Sequence, residues 1–322
     1  MQLAFLIDPL ATLKPKKDSS IALMVEAARR GHEVWLFEFA HVSVENGAIF
    51  AEATEVRVSP EVLSSSTATT HVLPVGPARR MHIEHFDRVF IRKDPPFDSQ
   101  YLALTYLLDR PGHEGRFINA PRGIREVNEK LFATRYSNSK TDFTPQTLVT
   151  WSFEDAQRFA RQYEKVVIKP SYFGSGKGVS LSSHSHPDFA STFATTLALE
   201  PVGPVLVQQY LPEGKEGDTR VMLLDGVPVA AVGRRPAPGE FRANIALGGE
   251  AIRVEISAEQ GRIAVEIGRD LNRLGIVFAG LDFIGDKLIE INVTSPTLMQ
   301  ELQRVSGFDM AASILDRIES RA

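Results

Sequence analysis

The sequence predicts an α/β fold in two parts, an open α/β domain at the N-terminus followed by a larger mixed α/β lobe. Three observations favour this fold. With 322 residues and 43% hydrophobic content, the chain is long enough for about two compact domains. Residues 2–38 show a strand, helix, strand pattern, which is typical of a βαβ unit. After Pro121 the pattern changes, and apolar strands follow one another with tight turns between them.

In the N-terminal part, the strand QLAFLID ends at Asp8, and a helix begins after Asp18, whose side-chain oxygen suits the free N–H groups of a first helical turn. Ligands of open α/β sheets bind beyond the carboxyl ends of strands, so we expect Asp8, Lys93 and Asp94 to lie near a ligand. The remaining elements predicted here are the strand EVWLFEF, a hairpin-like insertion at 41–80, the strand DRVFIRK, a helix at 99–109 and the strand RFIN.

The larger lobe alternates helices with strands before it turns into a series of strands. Its predicted elements are a helix at 122–137, the strand TPQTLVT, a helix from Ser152 to Tyr163, the strand KVVIKP, a glycine-rich loop, the strands VLVQQYL, TRVMLLDG and VPVAAVGR, and a hairpin at 281–293.

The composition argues against several classes of partner. The net charge is −4, with 36 Lys+Arg scattered among 40 Asp+Glu, so we expect no nucleic-acid partner. The chain has no cysteine, which excludes disulfides, thiolate metal sites and thiol nucleophiles. No apolar run approaches the roughly 20 residues that a membrane span needs, and the N-terminus has no basic segment, so we expect a cytoplasmic protein without a membrane partner.

The hairpin LDFIGDKLIEINVTSP carries three oxygen-bearing side chains, Asp282, Glu290 and Asn292, among apolar residues. Such donors suit a hard divalent cation that leaves positions open for phosphate oxygens, as Mg²⁺ does beside a nucleotide. The sequence therefore predicts a metal site here. An edge hairpin with solvated charges is the alternative.

The register of this hairpin decides between the two interpretations. A two-residue turn at Gly285-Asp286 pairs Asp282 with Ile289 and directs it away from Glu290, whereas a three-residue loop pairs Asp282 with Glu290. We predict the three-residue loop, because it places both carboxylates on one face.

The strand VVIKP and the loop after it predict an anion site. Gly174, Gly176 and Gly178 allow successive backbone N–H groups to converge on one anion, although a plain glycine turn gives the same spacing. Lys169 lies inside an apolar strand, where burial of its charge is costly unless an anion or a carboxylate meets it. A salt-bridged edge lysine is the alternative.

Three further segments carry candidate residues. Lys130 lies on the predicted helix 122–137, where a solvated lysine is the ordinary case. The stretch Gln208 to Leu211 follows an apolar strand and suits the edge of an adenine ring, and Arg220 begins the next strand.

The segment 233–250, GRRPAPGEFRANIALGGE, has little periodicity, and long irregular loops are often lids. Arg234 and Arg242 would then capture an anionic substrate as this lid closes. A disordered basic surface loop is the alternative.

These segments together resemble the bacterial glutathione synthetases of the ATP-grasp superfamily, over nearly the whole chain and in the same order. The motifs that carry the resemblance are DPLATLKPKKDSS, IRKDPPFD, NEKLF, TPQTLVT, VVIKP, the arginine-rich loop with ANIALGG, and GLDFIGDKLIEINVTSPT.

The resemblance implies a role for each matching residue. The implied ATP ligands are the phosphate lysines Lys130 and Lys169, the glycine loop with Gly174 and Gly176, the adenine hinge Gln208, Gln209, Tyr210 and Leu211, and Asp218 near the ribose. The implied catalytic residues are Arg220, with Arg234 and Arg242 in the flexible lid. The implied metal ligands are Asp282, Glu290 and Asn292, and the implied dipeptide ligands are Lys17, Asp18, Ser19, Asn292 and Ser295.

The chain departs from the family pattern at three places. The glycine loop reads SYFGSGKGV, with Lys177 in it, where relatives carry Gly-Met-Gly-Gly. Glu250 and Gln300 stand where relatives commonly carry arginines. Two positive charges are therefore missing near the acceptor, unless Lys177 or Arg235 replaces them.

The resemblance implies an ATP-grasp fold with a Rossmann-like substrate domain at 1–121, a central lid subdomain at 122–203 and a C-terminal metal-binding subdomain at 204–322. It further implies ATP-dependent joining of γ-glutamylcysteine to glycine through an acyl phosphate, with Mg²⁺ or alternatively Mn²⁺, in a homo-oligomer, either a tetramer or a dimer. Two alternatives stay open: a ligase of the family with another acyl donor or amine, and a non-catalytic nucleotide-binding relative.

Overall fold

The computed structural model describes residues 1–138, 141–174, 176–199 and 203–321. It contains a large N-terminal sheet, a small central sheet and a C-terminal sheet, with helices packed between and around them. None of the described helices combines the length and the apolar character that a membrane crossing requires.

The N-terminal part confirms the predicted open α/β domain. Its elements are β1 (Gln2–Ile7), α1 (Ser19–Arg29), β2 (Glu33–Phe37), β3 (Val42–Glu45), β4 (Ala48–Val58), β5 (Val72–Pro74), β6 (Arg79–His82), β7 (Arg88–Arg92), α2 (Ser99–Leu108), β8 (Phe117–Ile118) and α3 (Pro121–Glu126). The strand order is β3-β4-β2-β1-β7-β8, and β1 runs parallel to β2 and β7. The predicted insertion is the β3–β4 hairpin with β5 and β6, both paired to β4.

The start of α1 follows the predicted chemistry. The Asp18 carboxylate accepts hydrogen bonds from the backbone N–H groups of Ser20, at 2.7 Å, and Ile21, at 3.1 Å. At the carboxyl ends of β1 and β7, Asp8 accepts from the Lys93 ammonium at 3.3 Å and from the Asp94 N–H at 2.8 Å. The loops at this edge of the sheet are therefore held together.

The predicted helix at 122–137 is wrong, because α3 ends at Glu126 and Lys130 lies in a turn. The Asn128 side chain explains the break, since its oxygen accepts from the N–H groups of Lys130 at 3.1 Å and Leu131 at 2.8 Å. A side-chain acceptor of this kind competes with the helical backbone. A 3-10 turn, Phe132–Tyr136, follows.

The central part has its own sheet and its own core. Its elements are β9 (Ser137–Asn138), β10 (Thr141–Asp142), β11 (Thr147–Thr150), α4 (Phe153–Ala160), β12 (Val166–Pro170), β13 (Ser180–Ser182), α5 (Phe189–Ala198) and β14 (Val205–Gln209). The antiparallel order is β11-β14-β12-β13, and residues such as Ile168, Phe193 and Val207 form a separate cluster beneath it. Since β14 belongs to this sheet, the predicted boundary at 203/204 precedes a strand of the central part.

The C-terminal part carries the predicted hairpin on one antiparallel sheet, ordered β17-β16-β15-β18-β19. Its elements are β15 (Asp218–Leu224), β16 (Val227–Arg235), β17 (Glu250–Arg253), α6 (Ala258–Arg273), β18 (Phe278–Ile284), β19 (Lys287–Asn292), α7 (Met299–Ser306) and α8 (Met310–Glu319). Both larger hydrophobic clusters combine residues of the N-terminal and C-terminal sheets.

The hairpin confirms the pairing of Asp282 with Glu290 but not the predicted loop. Ile284 pairs with Lys287, so the turn has two residues, Gly285-Asp286. The register then shifts between Asp282 and Phe283, which leaves Ile289 as an extra residue in β19. Such a β-bulge shifts the register by one residue. It therefore places Asp282 opposite Glu290, which a regular two-residue hairpin would not do.

Asn119 joins the N-terminal part to this hairpin. Its amide nitrogen donates to the carbonyl oxygens of Phe278, at 2.8 Å, and Val293, at 2.9 Å. Its amide oxygen accepts from the N–H groups of Val277, at 2.8 Å, and Phe278, at 3.0 Å. The residue is only 1% exposed, so water cannot replace these four bonds.

Asn119→Ala is expected to lower the free energy of unfolding by about 3 kcal/mol, because it leaves buried backbone groups without partners. Urea denaturation measures this change. Asn272→Ala, on the exposed face of α6, is the matched control and is expected to change stability by no more than about 0.5 kcal/mol. A loss below about 1 kcal/mol for Asn119→Ala would show that the join does not depend on this side chain.

Candidate functional site

A cavity lies between the central sheet and the C-terminal sheet. It brings together most of the candidate residues of the nucleotide site. The candidate residues on its wall are Lys130, Lys169, Gly176, Gln208, Gln209, Tyr210, Leu211, Asp218, Arg234, Arg242, Asp282 and Glu290. We call this space the first cavity.

Two lysines are buried in the first cavity, each only 6% exposed. The Lys169 ammonium donates to Gln208 Oε1 at 2.8 Å, and Gln208 in turn donates to Thr147 Oγ1 at 2.8 Å. The Lys130 ammonium donates to the carbonyl oxygen of Phe173 and lies 3.0 Å from Glu290 Oε1. The side chain of Gln208, predicted to be near adenine, therefore holds a lysine in place.

Burial lowers the pKa of Lys169 to about 8, from an ordinary value of 10.5. The positive charge of Lys130 acts in the same direction, whereas Glu290 and Asp282 oppose the shift. A buried lysine of this kind gains when an anion approaches, because the anion restores the interactions that burial removed. The observation favours the predicted phosphate role over a salt-bridged edge lysine.

The glycine-rich loop and the segment 236–249 meet above the first cavity. Arg242 donates through Nη1 to the Gly176 carbonyl at 3.1 Å, and its guanidinium also pairs with Glu240 at 2.7 Å. Gly176 has a φ of +72°, and a Cβ there would collide with the Asn244 amide. Ser175 lies outside the described residues. Segment 236–249, which we call the lid, is thus in contact with the loop below it.

Four charged residues form a buried network at the edge of the first cavity. Arg220 grips Asp282 through two hydrogen bonds of 2.7 and 2.8 Å. Arg234 grips Asp218 through bonds of 2.6 and 2.8 Å and also donates to Asp282 at 2.8 Å. Burial opposes ionisation of Asp282, but the guanidinium groups of Arg220 and Arg234 hold the pKa of its carboxyl well below the usual value.

The predicted position of Arg234 in the lid is wrong, because Arg234 lies inside β16. Its cross-strand pairing with Asp218 keeps it in the sheet. Only Arg242 of the two predicted lid arginines belongs to the lid.

The predicted metal ligands are oxygen donors on one hairpin, which is the donor type that Mg²⁺ prefers. Glu290 lies opposite Asp282, and Asn292 shares its face two residues along β19. Glu290 Oε1 is buried and has no partner in hydrogen-bond geometry among the described residues, and the charge it faces is the Lys130 ammonium at 3.0 Å. In the described part of the chain no three His, Cys, Asp or Glu side chains lie together as a metal cluster, and the third predicted donor is an amide, that of Asn292.

A second cavity continues from the first. Arg234, Asn244 and Glu290 line both, so they mark the junction. The other residues on its wall include Asp94, Glu129, Gly174, Lys177, Arg220, Asn292, Thr294 and Ser295.

Two acids of the second cavity are shifted toward the neutral form. Burial raises the pKa of Asp94, although a hydrogen bond from Ser295 opposes the rise. Burial and the neighbouring Glu290 raise the pKa of Glu129. One oxygen of Glu129 accepts from the Val293 N–H at 3.0 Å and from Thr294 Oγ1 at 2.7 Å. Glu129 thus positions the residues that follow β19.

Sequence reasoning missed Glu129 and Arg92. Glu129 adjoins Lys130 in NEKLF, and that adjacency was the available signal. Arg92 lies inside an apolar strand as Lys169 does, and it is buried, with donations to Ser20 Oγ at 3.1 Å and the Pro296 carbonyl at 3.0 Å. Arg92 therefore links α1 to the segment that follows β19.

The structure does not bring the predicted dipeptide ligands Lys17, Asp18 and Ser19 to either cavity. Asp18 caps α1, the Lys17 ammonium donates to the Ile245 carbonyl of the lid at 3.4 Å, and Ser19 Oγ accepts from the Met299 N–H at 3.3 Å. Each of these side chains is therefore already engaged, Asp18 with the start of α1, Ser19 with α7 and Lys17 with the lid. Asn292 and Ser295 do line the second cavity.

Comparisons with known proteins agree with this geometry. The family models for the prokaryotic glutathione synthetase N-terminal domain and ATP-grasp domain match residues 1–125 and 129–307. The glutathione synthetase of Synechococcus elongatus is 36% identical over 99% of this chain and 98% of its own length. That of Shewanella oneidensis is 33% identical over 100% of this chain and 99% of its own.

Solved structures show the same fold at low identity. The D-cycloserine synthetase DcsG superposes with a TM-score of 0.67 at 16% identity, covering 100% of this chain and 99% of its own. The ATP-grasp ligase PsnB, complexed with a phosphomimetic variant of its minimal precursor, Mg and ADP, gives a TM-score of 0.62 at 16% identity, covering 99% and 98%. The ATP-grasp fold is therefore confirmed.

Lys169→Ala is expected to weaken ATP binding roughly 10- to 100-fold, since a charge-assisted contact in a buried site is lost. In the wild type, affinity is expected to fall as pH rises through about 8, because the amine is protonated and attractive to phosphate only below its pKa. Lys169→Arg keeps its charge and should remove this pH dependence.

Calorimetry with ATP between pH 7 and 9.5 measures both effects. Lys165→Ala, at an exposed position before β12, is the matched control and should bind as the wild type does. Equal affinity of the Lys169→Ala and wild-type proteins would exclude the phosphate role.

Proposed function

Since the chain belongs to the prokaryotic glutathione synthetase family, we propose that it joins γ-glutamylcysteine to glycine at the two connected cavities. It is an ATP-dependent ligase of the ATP-grasp type. The observation that carries the proposal is the junction at Arg234, Asn244 and Glu290. A nucleotide in the first cavity would present its terminal phosphate there to a carboxylate held in the second.

The reaction needs two displacements at this junction. A carboxylate oxygen of the dipeptide attacks the γ-phosphorus, and the bond to ADP breaks, which gives an acyl phosphate. The glycine nitrogen then attacks the acyl carbon, and inorganic phosphate leaves. Lys130 and Lys169 lie where they would neutralise the phosphates, and Arg220, on the wall of the second cavity, would stabilise the oxyanion of the tetrahedral carbon.

The glycine amine must lose its protons in this sequence. Asp94 and Glu129 are the buried acids of the second cavity, and their raised pKa values bring proton acceptance nearer to neutral pH. We propose that one of them receives a proton of the amine as the new bond forms.

The ligase uses ATP with Mg²⁺, and Glu290, Asn292 and Asp282 are the residues that we propose to hold the ion. Mg²⁺, when bound, neutralises phosphate oxygens and orients them. Two arginines occupy most of the hydrogen-bonding capacity of Asp282, whereas Glu290 and Asn292 are less engaged. We therefore assign the larger share of the binding to the donors on β19.

The lid separates the reacting atoms from water, because an acyl phosphate hydrolyses readily. Its contact with the glycine-rich loop, through Arg242 and Gly176, closes the junction from the side of the central sheet. Phe241, Arg242 and Asn244 also line the first cavity, so the lid forms part of the nucleotide pocket.

We also propose a substrate domain at 1–121, a lid subdomain beginning at 122 and a metal-binding C-terminal subdomain. The pairing of β14 supports moving the last boundary from 203/204 to the end of that strand, Gln209. From family membership we propose a homo-oligomer, a tetramer or a dimer, that works in the cytoplasm. Light scattering on the purified protein measures the number of subunits.

The test of function supplies purified protein with ATP, Mg²⁺ and a panel of dipeptides and amines, and identifies products by mass. Glutathione from γ-glutamylcysteine and glycine is the expected product. Clear turnover of another donor or amine, with none for this pair, would favour a ligase of the family with different substrates. The absence of any substrate-dependent ATP turnover would favour the non-catalytic nucleotide-binding alternative.

Glu290→Gln is expected to weaken Mn²⁺ binding in the presence of ADP roughly 10- to 100-fold, because one charged donor is lost from the metal site. Electron paramagnetic resonance of free Mn²⁺ measures this without reference to turnover. Glu255→Gln, at an exposed ion pair with Arg253, is the control. Unchanged Mn²⁺ affinity in Glu290→Gln would remove this residue from the metal site.

Arg242→Ala should lower glutathione formation at least ten-fold and raise the ratio of ADP to glutathione formed, since the lid loses its contact with the glycine-rich loop. Coupled assays of both products measure the ratio. Arg235→Ala is the matched control, because Arg235 is exposed and has only a 3.7 Å contact with Glu250. An unchanged ratio of ADP to glutathione in the Arg242→Ala enzyme would contradict the role of the lid.

A further inference from the structure

Lys177 of the glycine-rich loop faces the second cavity rather than the first. Its neighbours Gly176 and Val179 line the first cavity, whereas Lys177 lines the second together with Phe173. The ammonium lies 4.7 Å from the centroid of the Phe173 ring, a cation–π contact that holds it at the cavity wall. The loop turns tightly here, since the Lys177 N–H donates to the Gly174 carbonyl at 3.2 Å.

The other cations of the second cavity are already paired. Arg220 is committed to Asp282, and Arg234 to both Asp218 and Asp282. Among the residues that the structure describes, the Lys177 ammonium contacts the Phe173 ring and forms no ion pair with a carboxylate. Lys177 is therefore the cation of this cavity that is available to a ligand, within the described part of the chain.

The substrates require such a cation. γ-Glutamylcysteine carries two carboxylates and glycine one, and only the carboxylate of the cysteine reacts. The two others enter a cavity whose acids, Asp94 and Glu129, cannot attract them. Confining a carboxylate without a partner is costly. Building on the proposed function, we propose that Lys177 binds a substrate carboxylate that takes no part in the reaction.

Two other side chains considered near the acceptor, Arg235 and Gln300, lie elsewhere. Arg235 is exposed and contacts Glu250, and it lines neither cavity. The amide of Gln300 donates to the carbonyl oxygens of Pro15 at 2.6 Å and Asp18 at 2.8 Å, so it fastens the loop before α1 to α7. Lys177 alone of these three reaches the second cavity.

Lys177→Met tests the proposal, and the exposed position of Lys177 means that the variant should fold normally. The KM for glycine or for γ-glutamylcysteine is expected to rise roughly ten-fold, with kcat at saturation changed less than two-fold and the KM for ATP unchanged. Lys177→Arg should recover most of the loss because it restores the charge. Lys165→Met, another exposed lysine, is the matched control.

A neutral acceptor identifies which carboxylate is bound. If Lys177 meets the carboxylate of glycine, the mutant and the wild type should use glycinamide with equal KM. If it meets the glutamyl carboxylate of the donor, the KM for the dipeptide should rise with either acceptor. Either result supports the proposal.

Three results would overturn it. The KM values for both substrates could stay within two-fold of wild type, or the KM for ATP alone could rise, which would place Lys177 on the nucleotide. A wild-type protein that makes no glutathione from this pair would overturn the proposed function as well, and it is distinguished from the other two by the wild-type assay.

Discussion

The C-terminal sheet and the site that it carries depend on one buried carboxylate, Asp282, and on the two arginines that bind it, Arg220 and Arg234. Three neighbouring strands, β16, β15 and β18, each contribute to this network, so the pairing of the strands and the pairing of the charges specify the same register. Buried charges are tolerated only when they are matched, and a slip of one residue in any of these strands would leave a guanidinium or a carboxylate without its partner. The network is thus both part of the site and a constraint on how the sheet assembles.

Much of the fold could be predicted from the sequence, because strong periodicity and good caps agree with the structure at α1, β1, β7 and β12. The wrong predictions share a cause, because each depends on a side-chain hydrogen bond that residue spacing does not reveal. Asn128 broke a helix by accepting two backbone N–H groups, and Arg234 stayed in its strand because an aspartate lies across from it. The pairing of Asp282 with Glu290 was predicted correctly for the wrong reason, since a bulge rather than a longer loop produces it.

The candidate site followed the same pattern. Residues whose chemistry conflicts with their surroundings, such as a lysine in an apolar strand, were identifiable from the sequence, and they converge on one cavity. Two residues assigned only by likeness to a family motif line neither cavity, because Asp18 caps α1 and the Ser19 hydroxyl accepts from the Met299 N–H of α7. Polar residues at helix starts satisfy backbone groups first, so a motif there is weak evidence for a ligand contact.

Because of the bulge, β19 can lose one residue and still pair in register with β18. Successive residues of a regular strand face opposite sides, yet Ile289 and Glu290 both line the first cavity. One position thus supplies an apolar surface and the next a charge, side by side. Deleting Ile289 would restore an unbroken ladder in which Asp282 still lies opposite the glutamate, so the apolar wall can be lost without loss of the charged pair.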